Sequence, residues 1–434
     1  MYLSFHFWVA LILIACAMGA IMGTCAYLIL AERKISAWAQ DRLGPNRVGP
    51  WGVLQPIADG LKFLFKEEVI PSHVDRLFYM LGPAIALSTA LLAFAVVPFG
   101  STTTPPALTD NSVDPPVPLP WPQTKAELQE ALAKDPTYPD RLAEYNNTLQ
   151  FVITPHVDIG IVFVFAVGSL AVYAIILGGW SSNNKYSFLG SLRSSAQIIS
   201  YEIPLGMSAL GVLLITGSLN LERIIDYQHT HGWNVLFQPL AAVLFATSIF
   251  AETNRLPFDL PEAEQELVGG YHTEYSAMKF ALYFLGEYTH MITTSFLIVI
   301  MFFGGWLLPW VSVPGDTSVG AMIIKLIVIG VKMALFIVFF MLVRWTLPRF
   351  RFDQLMGLAW KVLMPLALVN LVAVLCIKQF QPLGAHSQWL LLPISIIVLV
   401  VGAAVGLRMP RQPARGFGYV HGHRVGEPER AAMR

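Results

Sequence analysis

Six carboxylates crowd one short stretch: Glu252, Asp259, Glu262, Glu264, Glu266 and Glu274, with Arg255 the only base among them. Glu262 and Glu266 are four residues apart, a spacing that sets like charges side by side on a helix. Carboxylates this close raise one another's pKa, so some stay neutral or share protons. A proton relay needs that property. A cation site and a solvated acidic loop are the alternatives. Asp259-Leu-Pro-Glu262 resembles a helix-capping arrangement, which accounts for two of the acids at most.

Four further ionisable groups fall within apolar runs. Glu202 lies just inside one run and Glu287 about two turns into another, and Lys325 and Lys332 lie two turns apart near one face of a third. Each costs at least about 2.5 kcal/mol in a membrane helix unless it faces protein or water. Singly, each can be a structural pair. With the acidic stretch, they outline a polar path from one side of a membrane to its middle.

Apolar runs dominate the chain that must position these groups. Of 434 residues, 55% are hydrophobic and 13% charged, with a mean hydropathy of +0.58. Soluble domains carry about 25% charged residues. A soluble enzyme, a disordered chain and a DNA-binding protein are excluded. Acids and bases balance at 28 each, so bulk charge points to no partner. Cys16, Cys25 and Cys376 lie in apolar runs without CxxC spacing and read as buried small side chains rather than metal or iron–sulfur ligands. No flavin, nicotinamide or nucleotide fingerprint is present.

A bilayer core takes about 20 apolar residues per helix. Nine runs are candidates, at 7–30, 77–99, 157–179, 199–217, 236–251, 280–309, 322–343, 362–377 and 390–407, the fifth and eighth short. The expected fold is an all-α integral membrane protein. The first run is preceded by no base and followed by Arg33 and Lys34, the reverse of a signal peptide, so it reads as a retained helix with its N-terminus outside. The loops at 31–76, 180–198, 252–279 and 344–361 and the tail at 408–434 hold 21 of the 28 Lys and Arg; the opposite loops, 100–156 and 218–235, hold four. The positive-inside rule places the richer set, and the C-terminus, in the cytoplasm or an organelle matrix.

Four parts follow: two spans with a cytoplasmic loop (1–99), an outer-face insertion (100–156), a seven-span bundle carrying the acidic loop 252–279 (157–407) and a basic tail (408–434). The insertion is Pro-, Thr- and Asp-rich, then polar and helical from Thr124 to Lys134, and reads as a tolerated surface segment. Residues 51–66 set Leu54, Ile57, Ala58, Leu61, Leu64 and Phe65 against Gln55, Asp59, Lys62 and Lys66 at helical spacing. This amphipathic helix is too short and charged to span. It suits the membrane interface, packed on neighbouring spans or walling an opening for a lipid-soluble ligand. No internal repeat is visible, which counts against an inverted-repeat transporter.

Four stretches, AERKISAWAQDRLGPNRVGPWGVLQPIADGLKFLFKE, GGWSSNNKYSFLGSLRSSAQIISYE, AETNRLPFDLPEAEQELVGGYHTEYSAMKFALYFLGEY and RWTLPRFRFDQLMGLAWK, resemble in order the family of H-type membrane subunits of the proton-pumping NADH–quinone oxidoreductase, respiratory complex I. The insertion at 100–156 departs from the family, whose loop there is usually much shorter. The resemblance implies eight or nine spans, no redox centre or cofactor on this chain, and flavin and iron–sulfur clusters on partner subunits. It implies a quinone substrate, a bacterial inner membrane, other complex I membrane subunits and a peripheral arm as partners, and no nucleic acid. It also implies that activity belongs to the assembled oxidoreductase and not to the isolated chain.

Residue by residue, the family's motifs place Glu32, Arg33, Arg42, Asp59, Lys62, Arg255 and Phe258 in or beside a quinone chamber. Glu202, Glu252, Asp259, Glu262, Glu264, Glu266, Glu274 and Glu287 match its acidic funnel toward the pumping subunits. Arg349, Arg351 and Asp353 match a loop facing the peripheral arm. The turn bearing Asn46 and Arg47 is a stiff, glycine-hinged loop suited to contacting a neighbour or to serving as a tight connector. A quinone's apolar tail enters from lipid, its reduction takes up two protons, and arginines steady the transient anion. A related component of a membrane-bound hydrogenase and a stand-alone cation/proton transporter are the competing readings.

Overall fold

In a computed structural model, the described residues are 2–100, 106, 108–111, 117–119, 125–147, 153–154, 157–259, 268–312, 318–380, 388–408, 419–420 and 423–424. Helices make up nearly all of this, beside two antiparallel ribbons of two-residue strands. The first span, α1, runs Tyr2–Ala39, and α2 (Gln55–Phe65) is the amphipathic helix, with Pro56 in its first turn and no buried residue. The insertion at 100–156 holds α4 (Lys125–Lys134) and α5 (Tyr138–Asn147). The remaining spans are α3 (Arg76–Leu92), α6 (Gly160–Ser181), α7 (Lys185–Thr216), α10 (Pro239–Glu252), α11 (Ala277–Phe302) and α12 (Val319–Thr346), followed by α13 (Phe352–Leu358) with α14 (Met364–Phe380), and then α15 (Leu391–Arg408). Two short helices, α8 (Leu221–His231) and α9 (Asn234–Phe237), lie between α7 and α10.

Seven of the described helices are long and apolar enough to cross a membrane, and two shorter apolar ones, at Pro239–Glu252 and Gln388–Gly402, stand at the fifth and ninth expected spans. The chain is an all-α integral membrane protein.

Polar residues start and stop these helices. Asp75, Asn184, Asn220 and Ser318 cap α3, α7, α8 and α12 by accepting backbone N–H bonds of the first turn, and Gly217 ends α7 in the left-handed conformation.

Several ends differ from those expected. The fourth span begins at Lys185 and not at 199, because its first turns are rich in Ser and Gly that pack closely, without reading as apolar; Ser187, Gly190, Ser191 and Ser194 are buried. Glu202 therefore sits near mid-helix. The eighth span is long: α13 and α14 join through a single π turn at Ala359–Leu363 into 29 residues. Pro365 has no N–H for Lys361, and the Met364 N–H reaches back to Ala359 instead. The sixth stops at Phe302 instead of 309, where Gly304 and Gly305 take positive φ (72° and 54°). Only Cys25 is buried; Cys16 and Cys376 lie on outward faces of their spans.

The described part of the insertion is folded. Leu108, Ala131 and Tyr138 form a small core, and Asp135, fully buried between α4 and α5, accepts from Thr109, Asn111 and Thr137 and pairs with Arg141. Arg223 at the start of α8 donates to the Pro106 carbonyl.

The helices enclose α11, whose apolar window is 78% buried, against 11% for α1. Ionisable groups on α11 therefore face protein, which makes them affordable. Contacts gather the basic loops at one end of the bundle: Arg33 with Asp59, Lys279 with Glu68, Arg349 with Asp259, and Asn184 with Glu274.

Candidate functional site

At that end, Glu32 in the last turns of α1 is 8% exposed. Its Oε1 pairs with Arg344 from the end of α12, and its Oε2 accepts from the Tyr288 hydroxyl at 2.5 Å and lies 3.7 Å from Arg255. Arg255, from the loop after α10, also stacks on Tyr288 with its guanidinium carbon 4.1 Å from the ring centroid. One buried carboxylate is thus shared by two arginines and a tyrosine, and it fixes the loop against three helices. Buried Phe258 stacks on Phe350 and leans on Tyr201, with centroids 5.6 and 5.7 Å away. Gln197 holds the loop from α7 by donating to the carbonyls of Ala251 and Phe258.

One residue before Tyr288, Glu287 points elsewhere on α11. With Glu252, His290, Tyr271, Tyr283, Thr293 and Thr294 it lines a cavity of about 60 Å³ between α3, α6 and α11. One water needs ~10–15 Å³, so the space holds several. Tyr271 donates to Glu287 at 2.9 Å, and His290 Nε2 lies 3.3 Å from Glu252 Oε1. Beside the cavity, Tyr79, Tyr275 and Tyr283 pack with His272. Burial pushes the His272 imidazole down to about pKa 3, so it stays neutral.

The remaining expected residues separate. Glu202 accepts from Ser169 of α6 and does not line the cavity; Glu274 accepts from Asn184 at 2.6 Å; Asp259 faces Arg349 at 3.3 Å. Asp59 joins Arg33 (2.8 Å) and Gln55, tying α2 to α1. Arg42, Asn46, Arg47, Lys62, Arg351 and Asp353 are exposed at the same end, Arg42 bonding to Gln40. The turn carrying Asn46 and Arg47 is held by Lys34 on the Trp51 carbonyl, and Gly52 (φ 78°) leaves no room for a Cβ against the Pro45 carbonyl. Glu262, Glu264 and Glu266 lie outside the described residues. Lys332, expected on the polar path, instead donates to the carbonyls of Phe303, Gly305 and Leu307 where α11 ends.

A family model described as NADH dehydrogenase matches residues 11–375. This chain belongs to the NADH dehydrogenase family. It is 42% identical over 346 residues to an H-type NADH-quinone oxidoreductase subunit of Cytophaga hutchinsonii, covering 80% of this chain and 90% of that one. The H-type subunit of Leptospira biflexa is 46% identical over 345 residues (78% and 86%), and NADH-quinone oxidoreductase subunit 8 of Rhodothermus marinus is 40% identical over 380 (85% and 96%). These relatives are subunits of an oxidoreductase complex.

Sequence reasoning singled out the acids of this family member and missed their partners. Arg344, Tyr288, His290 and Tyr271 were not picked out, although His290 follows Glu287 by three residues, the spacing that puts two side chains on one helix face. Nothing local marks Arg344 as Glu32's partner.

Proposed function

We propose that this chain is the non-redox membrane subunit of a proton-pumping NADH–quinone oxidoreductase, forming part of its quinone chamber, anchoring its peripheral arm and opening a proton path toward the pumping subunits. The observation that carries this is the adjacency of Tyr288 and Glu287 on α11. One side chain serves the buried Glu32–Arg255–Arg344 cluster and the next lines the acidic cavity. A charge change on a quinone beside the cluster is thus felt one residue from the cavity. The amphipathic α2, with Ile57, Leu61, Leu64 and Phe65 exposed, suits the wall of a doorway from lipid.

Exposed Arg42, Asn46, Arg47, Lys62, Arg351 and Asp353 would meet the peripheral arm or border the chamber. Glu252 and Glu287 are the core of the proton path, with Asp259, Glu274, Glu202, Glu262, Glu264 and Glu266 leading to it. The chain would sit in the bacterial inner membrane with its N-terminus outside and its C-terminus in the cytoplasm; electrons would travel on the flavin and iron–sulfur clusters of partner subunits.

The test is Arg255→Ala and Phe258→Ala in the assembled complex. Quinone KM rises and inhibitor sensitivity falls, with normal assembly on a native gel. Unchanged KM and inhibitor sensitivity in both variants would place the chamber elsewhere.

A further inference from the structure

His290 has no role in the family resemblance or among the expected acids, yet it lines the same cavity as the two carboxylates. It is one turn along α11 from Glu287, on the same face, and its Nε2 lies 3.3 Å from Glu252 Oε1. The second Glu252 oxygen, Oε2, is buried with no hydrogen-bond partner among the described residues. A buried carboxylate oxygen beside a space large enough for several waters calls for one. The walls from α3, α6 and α7 bring no titratable group among the described residues; the groups facing His290 are Glu252, Glu287, Tyr271 and Tyr283. Opposite the pair stands Gly168 of α6, where an added Cβ would lie 3.6 Å from Glu252 Oε1 and 3.9 Å from His290 Cε1. The absent side chain is what keeps room in front of the pair.

We infer that His290 hands protons between Glu287 and Glu252 across this cavity, with Gly168 keeping the water in place; the inference rests on the proton-path reading of those two acids. The transfer balances. Neutral His290 carries its proton on Nε2, 3.3 Å from Glu252 Oε1. A protonated Glu287 gives its proton through water to Nδ1, leaving a carboxylate and an imidazolium. The imidazolium releases the Nε2 proton to the Glu252 carboxylate and is neutral again, its proton now on Nδ1. One proton has moved and no electron has. Imidazole suits the step because each of its two ring nitrogens can hold or accept a proton. Exchange with the cavity water restores the first tautomer.

The test uses the whole complex in membrane vesicles, reading NADH-driven quinone reduction, dye-reported proton uptake and assembly on a native gel. His290→Gln keeps an N–H for Glu252 but cannot relay a proton. It is expected to lower kcat and uptake together by at least about tenfold, with quinone KM unchanged. Gly168→Val changes no titratable group and, by displacing water, lowers both in the same way. Wild-type kcat and uptake in an assembled His290→Gln complex would overturn the inference. Should that variant fail to assemble, Gly168→Val decides, and a full rate there overturns it. Glu287→Gln in the same vesicles separates the two levels: its loss beside a normal His290→Gln removes only the role of His290, and normal activity in both removes the proton path as well.

Discussion

Glu32 and Arg344 stand 312 positions apart in the chain and meet as an ion pair that joins the ends of α1 and α12. Tyr288 of α11 donates to the same carboxylate. Arg344→Met should therefore loosen three spans at once. Arg255 remains 3.7 Å from Glu32 and covers part of the loss, so the cost is about 1–3 kcal/mol, less than that of a fully orphaned buried charge. The expected result is a lower melting temperature of the solubilised complex, and Glu32→Gln in the same background should recover part of it. An unchanged melting temperature for Arg344→Met would mean that the pair contributes nothing to stability.

Lys332 is the cap of a helix it does not belong to. Its ammonium donates to the carbonyls of Phe303, Gly305 and Leu307 and lies 4.8 Å from the centroid of a Trp233 ring. A hydrogen bond to a charged group contributes about 1.5–3 kcal/mol, and three sharing one donor do not add fully. Lys332→Met is expected to cost on the order of 3 kcal/mol, read as reduced assembly and faster proteolysis near 303–312. Lys332→Arg should restore most of it. Equal behaviour of the Met and Arg variants would rule out the cap.

The spans were legible because lipid demands continuous apolar runs, and α2 was legible because its two faces alternate at helical spacing. The lower half of α7 was not: its Ser and Gly residues are chosen for close packing, which hydropathy does not register. The ion cluster was half legible. Arg255 stands out as the lone base in the acidic stretch and Glu32 comes only from the family motif, but their pairing with Arg344 depends on how α1 and α12 meet, and no local spacing encodes that. Lys332 misled for the opposite reason, since an intramembrane charge signals a need for partners without saying whether they are carboxylates or backbone carbonyls.

The insertion at 100–156 illustrates the same limit. Its sequence suggests a tolerated surface segment with one short polar helix, yet Asp135 holds a small folded unit from its centre, and Arg223 ties it to α8. Asp135→Ala should unfold the small core of Leu108, Ala131 and Tyr138, because Arg141, Thr109 and Thr137 lose a buried common acceptor. Protease added to the outer face would then cut this segment faster, while quinone reduction by the assembled complex stays near wild type. Lost turnover in a normally assembled variant would give the insertion a part in the reaction.

His272 supplies a pH dependence with a definite sign. Burial holds its folded pKa at about 3, against 6.5 for the ordinary imidazole. Between those values the unfolded chain binds a proton that the folded one refuses. Stability from this group is complete above pH 6.5 and is lost as the pH falls toward 3, by up to about 1.4 kcal/mol per pH unit. His272→Phe keeps an aromatic ring among Tyr271, Tyr283 and Phe284 and removes the titration. Melting temperatures taken near neutral pH and about two units lower should therefore converge in the variant more than in the wild type. The same acid sensitivity in both would place the linkage elsewhere.

The last prediction separates two acids that look alike in the sequence. Glu202 and Glu287 are both lone carboxylates within spans, and composition gives no reason to rank them. Their surroundings do. Glu287 lines the cavity with Glu252 and His290 and accepts from Tyr271, whereas Glu202 accepts from Ser169 between α6 and α7 and does not line it. Glu→Gln keeps size and hydrogen-bonding capacity while removing the titrating proton. Neither change should unfold the bundle, because a neutral amide costs less to bury than a carboxylate. Glu287→Gln should lower coupled quinone reduction and proton uptake by about tenfold or more. Glu202→Gln should leave a larger share of both, since Glu252, Glu287, His290 and their cavity are untouched. Glu252→Gln should resemble Glu287→Gln, and the double variant should be little worse than either, as expected when two groups serve one route. The measurement is turnover and uptake in vesicles after assembly has been checked on a native gel. A more severe Glu202→Gln, or additive losses in the Glu252–Glu287 double variant, would mean that protons take a route along α7 and bypass the cavity.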